Sequence, residues 1–341
     1  MATTSHILIT GATGLIGFRI LVAALEAGHK VRYTVRSEEK AKTVSSNPAV
    51  QKLAFGDRLS PAIIPDFAVD GAFDEALKDI THIIHAGAPV PNAAYDPTTQ
   101  VFQPTLKIAD NLLASALKAP SVQRVVITSS IVGNLGMIPP PTVVSATTRV
   151  PLPDPVPETY DDVFSAYITS KMVEFHRTDE FVKTRNPHFT VAHVVPGYVF
   201  GRNELALDSR MMQQENSSNN FLMMCMLGAE LPFPIHGGFV HIDDLADIHL
   251  RVLFLEKPGE GPADYGIATK INYDTVFDYV ENAFPKAVAD GVFKKGKLHT
   301  LNVEYDSSDT EKLFDKKLKS FESAVVEVAA QYLEKLGKDK A

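Results

Sequence analysis

An α/β fold with a doubly wound parallel sheet is predicted by three observations. Short β-rich apolar runs alternate with segments of helical spacing, a glycine-rich turn joins the first run to the first helix, and small or hydroxyl-bearing residues close later runs. The first run is Ile7-Leu8-Ile9, within His6–Thr10. It ends at Thr10-Gly11-Ala12-Thr13-Gly14-Leu15-Ile16-Gly17, and helical spacing follows over 15–27. Gly28 stands where a helix C-terminal glycine belongs, and Lys30–Val35 resumes a β pattern, completing one βαβ unit. Further strands are expected over 59–64, His82–His85, Arg124–Thr128 and 190–195, with helices over 73–77 and 101–117.

The glycine turn has the spacing Gly-x-x-Gly-x-x-Gly rather than the more usual Gly-x-Gly-x-x-Gly. The physical demands are similar: a tight turn, close approach of backbone to a pyrophosphate, and close packing of helix on strand. Gly11, Thr13, Gly14, Leu15, Ile16 and Gly17 are therefore candidate dinucleotide-binding residues. Arg36 follows the second strand, where NAD-binding chains commonly carry an acid for the ribose 2′-hydroxyl. An arginine there attracts a 2′-phosphate, and Lys40, one turn on, adds a second positive charge, so NADPH/NADP+ is favoured over NADH. The competing reading pairs Arg36 and Lys40 with Glu38 and Glu39 as solvated charges. Asp66, after the third strand, contacts adenine or caps the segment that follows. Ala86, in His85-Ala86-Gly87-Ala88-Pro89, closes the fourth strand with room for a cofactor.

Thr128-Ser129-Ser130 ends the fifth strand on the same ligand-binding edge, and Tyr167-Ile168-Thr169-Ser170-Lys171 lies downstream. Residues four apart on a helix share a face, so the Lys171 ammonium is expected near the Tyr167 phenol. A cation there favours the ionised phenol and is expected to lower its pKa from about 10 toward a range useful for acid-base work.

These motifs together resemble an extended short-chain dehydrogenase/reductase with a Rossmann domain. Val35-Arg36-Ser37-Glu38-Glu39-Lys40, His85 to Pro89, Tyr198-Val199-Phe200-Gly201 and Gly237-Gly238-Phe239-Val240-His241-Ile242-Asp243-Asp244 resemble its dihydroflavonol-reductase-like branch, which includes fungal NADPH-dependent aldehyde, ketone and methylglyoxal reductases. The resemblance runs from about Ile7 to the C-terminal helices. It implies that Tyr167 protonates the substrate oxygen, that Lys171 tunes Tyr167 and holds the nicotinamide ribose, and that Ser130 hydrogen-bonds the carbonyl oxygen. Ser129 serves through its backbone, and Pro196 to Val199 line the nicotinamide. Two positions depart from the family pattern: Lys107 lies near where many members carry an asparagine of the proton relay, and Ile131 replaces a smaller residue after the serine pair.

The 341 residues are 45% hydrophobic and 22% charged, which is ample for a core, and the net charge of −8 argues against a nucleic-acid surface. The basic pairs Lys294-Lys295 and Lys316-Lys317 read as solvated faces. Cys225 is the single cysteine, so disulfides within the chain are excluded. His82 and His85 are expected on opposite faces of their strand, while His236, His241 and His249 lack a clustered acidic shell, so no metal is expected. No secretory signal or membrane span is read, giving a cytoplasmic expectation.

The proline-rich stretch 137–158 is expected to be an irregular loop near the crevice. Residues 221–227 form an apolar cluster read mostly as core or helix packing, with a pliable Met-rich wall for a bulky substrate as the alternative; 241–255 read as a strand end and amphipathic helix, and 309–336 contains helices. The predicted division is a cofactor-binding domain over 1–200 carrying the catalytic residues, and a smaller discontinuous substrate domain over 201–341. The expected activity is NADPH-dependent reduction of a hydrophobic aldehyde or ketone by a monomer or homodimer. The alternatives are an NAD(P)-dependent epimerase/dehydratase and a non-catalytic NADP-sensing protein; Arg36 opposes the former, and the intact Tyr167 and Lys171 oppose the latter.

Overall fold

The computed structural model describes residues 5–138, 142–255, 263–314 and 317–338. Five strands open the main sheet: β1 His6–Thr10, β2 Lys30–Val35, β3 Leu59–Ile63, β4 His82–His85 and β5 Arg124–Thr128. Thr190–Pro196 and Ala263–Ile267 extend it. Across the sheet the order is Ala263–Ile267, Thr190–Pro196, β5, β4, β1, β2, β3, and every pairing is parallel. Strand order therefore reverses at β1, where chain growth turns from one edge to the other. A crevice outside the carboxyl ends of β1 and β4 is the place where such sheets bind ligands.

Both faces of the sheet are covered, as a parallel sheet requires. Ile7 and Ile9 point into a layer made with helix α1, Leu15–Glu26, and with Ile242–Leu253, while Leu8 points into the opposite layer with Ile108, Leu112 and Leu113. One strand thus feeds two cores through its two-residue period. The helix Ile242–Leu253 is tied to the sheet by His249, whose Nε2 lies 2.8 Å from Thr128 Oγ1, and by Arg124, which donates to Val252 O at 2.7 Å.

A separate apolar core joins Phe200, Met212, Leu222, Met223, Met226, Phe239, Tyr273 and Phe321. Most of the 221–227 cluster lies there, in the helix Asn219–Met226, packed as core. Beside it, Gly238–His241 pairs parallel with Tyr198–Phe200 and antiparallel with Thr269–Lys270. The chain also returns to the first region, since Ala263–Ile267 is an edge of the main sheet.

The expected helix at 73–77 is not formed. This stretch is a series of turns in which the Leu77 N–H to Phe73 O bond is flanked by the tighter turns of Asp74 N–H to Gly71 O and Lys78 N–H to Glu75 O, and Asp79 ends it at φ 63°. Five residues are too few to repay helix nucleation. The helix expected from 101 instead begins with a π-helical turn, Pro97–Phe102, before Gln103–Leu117. Asp96 caps that turn, accepting from Thr99 N–H at 2.7 Å, and Pro97 follows at a helix-start position, a signal present in the sequence. The loop after β5 is mostly irregular, with Val144–Ser145 pairing to Tyr305–Asp306; its residues 139–141 lie outside the described residues, as does Lys316. The C-terminal helices are Ser308–Phe314 and Phe321–Lys335. No helix among the described residues is long and apolar enough to cross a membrane.

Candidate active site

The glycine turn is shaped by two contacts that admit no side chain and one that leaves space. Gly11 has φ +75°, and a Cβ added to it would lie 2.3 Å from Ala86 O. A Cβ on Gly17 would lie 2.3 Å from Gly11 O. On Gly14 the nearest such contact is Gly11 O at 3.5 Å, so the protein itself does not demand glycine there. The open side of Gly14 faces outward beside exposed Thr13, and no side chain caps α1. A glycine wanted by neither packing nor dihedral, at an uncapped helix N-terminus on the switch-point edge, fits a dinucleotide pyrophosphate. Leu15 is buried in the core and Ile16 packs against it, which leaves their backbones for a ligand.

Arg36 and Lys40 are both exposed, and neither forms an ion pair among the described residues. The alternative pairing with Glu38 and Glu39 is thus not seen. Arg36 lies 5.5 Å over the Phe67 ring, one residue past Asp66, so the ends of β2 and β3 meet. The Asp66 carboxylate accepts Ala68 N–H at 2.8 Å, the capping arrangement.

Ser129 continues the β5 ladder, donating its N–H to Val194 O at 2.9 Å, and the Ile131 N–H reaches Pro196 O at 3.0 Å. This places Ser130 at the strand's carboxyl end facing the helix Val163–Arg185. Asp162 starts that helix by accepting from Phe164 N–H and Ser165 N–H at 3.0 and 2.8 Å. Tyr167, Lys171 and Ser130 come together. Burial raises the phenol of Tyr167 above its ordinary value, more than offsetting the Lys171 cation and a Ser130 hydrogen bond that both favour ionisation. The expected sign of the lysine effect is right and the expected net lowering is corrected: desolvation is the larger cause.

Lys171 is 1% exposed and donates to Glu174 Oε2 at 2.8 Å, with Thr128 O at 3.4 Å. Sequence reasoning passed over Glu174, although Tyr167, Lys171 and Glu174 sit at i, i+4 and i+7 on one helical face. His85 Nδ1 lies 2.7 Å from Thr10 Oγ1, immediately before the glycine turn, and burial lowers His85 to about 4, so its ring is neutral. Lys107 is exposed, whereas Ser130 and Lys171 are buried.

Beside the Ser130, Tyr167 and Lys171 group stands an aromatic wall. The Tyr198 ring lies 4.4 Å from that of His236 and 5.5 Å from that of Phe221. Burial pushes Tyr198 upward, and its coupling to Tyr167 places the two phenols near each other. Burial also lowers His236 to about 4, so this wall carries a neutral imidazole. Phe164, one turn before Tyr167, meets Phe233 edge-on at 5.5 Å, both more than a third exposed. Pro196 and Val199 are buried, Val199 in the core shared with β1 and α1. Ile131 is fully buried, and a Cβ on Gly238 would lie 2.7 Å from its Cδ1, so the bulk after the serine pair is matched by a glycine opposite. No signal in a single sequence pairs Tyr198 with His236 and Phe221.

One histidine expectation is corrected. His241 does have acidic neighbours: its Nε2 lies 3.1 Å from Glu327 Oε2, and Asp243 is adjacent. These groups are already engaged. His241 Nδ1 accepts Asp243 N–H at 3.1 Å, Glu327 accepts Arg202 N–H at 2.9 Å, and Asp243 pairs with Arg19 and Lys319.

Residues 7–268 match the model of the NAD dependent epimerase/dehydratase family. An NAD-dependent epimerase/dehydratase of Alternaria alternata is 34% identical over 332 residues, covering 92% of this chain and 93% of its own. A ketoreductase of Cercospora beticola is 34% identical over 352 residues, covering 98% of this chain and 97% of its own. The crystal structure of yeast methylglyoxal/isovaleraldehyde reductase complexed with NADPH has the same fold, with a TM-score of 0.81 at 23% identity over 98% of this chain and 99% of that one.

Proposed function

The chain belongs to the NAD dependent epimerase/dehydratase family, whose chemistry uses a nicotinamide cofactor, and from that premise we propose that it reduces an aldehyde or ketone to an alcohol with NADPH. The two relatives of equal identity carry names for different reactions, so the choice rests on the site. The observation that carries the reductase reading is the pairing of the Ser130, Tyr167 and Lys171 group with a wall of Tyr198, Phe221 and neutral His236. An epimerase or dehydratase of sugar nucleotides needs cations for a diphosphate. Here Arg202 is tied to Glu334 at 2.5 Å, and the wall is uncharged.

The turn Gly11 to Gly17 would hold the pyrophosphate, with Thr13, Leu15 and Ile16 offering backbone groups. Arg36 and Lys40 would hold the 2′-phosphate, Asp66 and Ala86 would flank the adenine side and the centre, and Pro196 and Val199 would back the nicotinamide. When bound, the cofactor supplies the hydride. Ser130 donates a hydrogen bond to the carbonyl oxygen, and Tyr167 gives that oxygen its proton as negative charge develops. A phenol held above its ordinary value is protonated at neutral pH, the state a donor needs. Lys171 would hold the ribose hydroxyls and keep Tyr167 in place. The wall excludes water and seats the apolar part of a small-molecule carbonyl compound.

Loss of reduced-nicotinamide absorbance against a panel of aromatic and aliphatic ketones tests the reading. Turnover with NADPH is expected, falling about 100-fold or more in Tyr167→Phe with cofactor affinity retained. Interconversion of nucleotide sugars without net cofactor consumption would favour the epimerase reading instead.

A further inference from the structure

Lys171 is not a lone cation beside a phenol. It lies between Tyr167 and Glu174 on one face of the helix, and both members of its ion pair are about 2% exposed or less. Helix side chains lean toward the N-terminus, so the Glu174 carboxylate reaches back to the ammonium and comes to it from the side away from Tyr167. Glu174 Oε2 accepts from Lys171 Nζ at 2.8 Å and from Ser129 Oγ at 3.4 Å. Among the described residues its other oxygen, Oε1, is buried without a hydrogen-bond partner, and so is His85 Nε2 on β4. A carboxylate left half-satisfied in the interior is costly, and the surface a turn or two away offers a cheaper place for a structural ion pair.

We propose that Glu174 is a positioning residue that fixes the Lys171 ammonium and opposes its charge, so that the ammonium does not draw the Tyr167 phenol toward ionisation. The charges and titratable groups around this row are few. β4 contributes His85, neutral near pH 7, and β5 contributes Thr128, Ser129 and Ser130, with His249 behind Thr128 and also neutral. The helix Gln103–Leu117 contributes Asp110, paired with Arg177 at 2.7 Å, and the strand Tyr198–Phe200 contributes the un-ionised Tyr198. Among the described residues, Lys171 and Glu174 are therefore the opposite charges that act on Tyr167, and the phenol feels them with opposite sign.

The catalytic consequence rests on the reductase reading, whereas the charge coupling is measurable without cofactor or substrate. Unliganded protein with isotope-labelled tyrosine ring carbons is titrated by NMR, the Tyr167 signal being assigned by its absence in Tyr167→Phe. The native phenol is expected to titrate above about 10. Glu174→Gln is expected to lower it by about one unit or more, a tenfold change in ionisation constant. Glu174→Asp, which keeps the charge, is expected to move it by less than half as much. In turnover, the alkaline fall of kcat/KM for carbonyl reduction moves to lower pH in Glu174→Gln in step with the NMR shift. A native value below about 10, or a Glu174→Gln shift smaller than about one unit, overturns the proposal. Should Glu174→Gln fail to fold, Glu174→Met, which removes the charge without burying an amide, is expected to lower the Tyr167 value by about one unit, and no lowering overturns the proposal. Should no carbonyl be reduced, the NMR titration still decides, so the two readings fail separately.

Discussion

The glycine turn and the aromatic wall face one crevice but are held by opposite devices. The turn works through side chains that are missing: at Gly11 and Gly17 any Cβ would strike backbone oxygen, and at Gly14 it would enter open space. The wall works through side chains that are large, with Tyr198 meeting Phe221 edge-on and His236 at a tilt, from three separate stretches of chain. The turn's constraints are local and backbone-based, so one ligand type, a pyrophosphate, is implied by seven consecutive residues. The wall depends on long-range packing around a second core, so its chemistry emerges only in three dimensions.

The sharpest way to break this contrast is within the turn itself. Gly17→Val is expected to cost roughly 2–4 kcal/mol of stability and to abolish cofactor binding, because helix and turn must separate. Gly14→Ala should leave stability within about 1 kcal/mol of native while weakening NADPH by about tenfold or more, since its methyl meets ligand rather than protein. Denaturant unfolding and cofactor titration read the two effects independently, and equal loss of stability at both glycines would defeat the distinction.

Arg36→Glu comes next. NADPH affinity is expected to fall about tenfold or more while NADH affinity stays within a few-fold, because the change replaces attraction to a 2′-phosphate with repulsion. A parallel fall for both cofactors would show that Arg36 serves the loop through its contact with Phe67 instead.

On the other side of the crevice, Tyr198→Ala should raise KM for an aromatic ketone by about 2- to 10-fold, the range of one ring–ring contact, with cofactor affinity unchanged. If kcat fell and KM did not, the wall would be acting on Tyr167 rather than on substrate.

The smallest effect concerns what supports the wall. Burial pushes the Glu215 carboxyl up to about 7, and Asn203 hydrogen-bonds it near the segment leading to the wall's Phe221. The folded protein then holds a proton that the unfolded chain releases at its ordinary value of 4.5. Stability contributed by this group falls as pH rises from 4.5 to 7 and is level above, the sign set by the folded state binding more protons in that window. Glu215→Gln should flatten that slope in denaturant titrations at successive pH values.

Much of the fold was legible because its signals are local. His6–Thr10, Lys30–Val35, His82–His85 and Arg124–Thr128 have the bounds their β-rich patterns suggest, and the hydroxyl and small residues at their carboxyl ends lie on the ligand edge. The stretch at 73–77 misled because an apolar pair four apart resembles a helix while being too short to nucleate one. The meeting of Tyr167 with Lys171 followed from helical spacing, yet the net effect on the phenol did not. Desolvation depends on what covers Tyr167, and the opposing carboxylate of Glu174 matters only once the helix is seen buried against β5. His241 likewise acquired acidic neighbours from residue 327, far away in sequence.

The most direct measurement follows the hydride. The protein is incubated with a ketone and NADPH carrying deuterium at the transferable position of the nicotinamide, and the product is read by mass spectrometry and NMR. A reductase leaves one deuterium on the carbinol carbon, with oxidised cofactor formed in equal amount and both lost together in Tyr167→Phe. Deuterium that stays in the cofactor pool, with no alcohol formed from any ketone of the panel, would contradict the account.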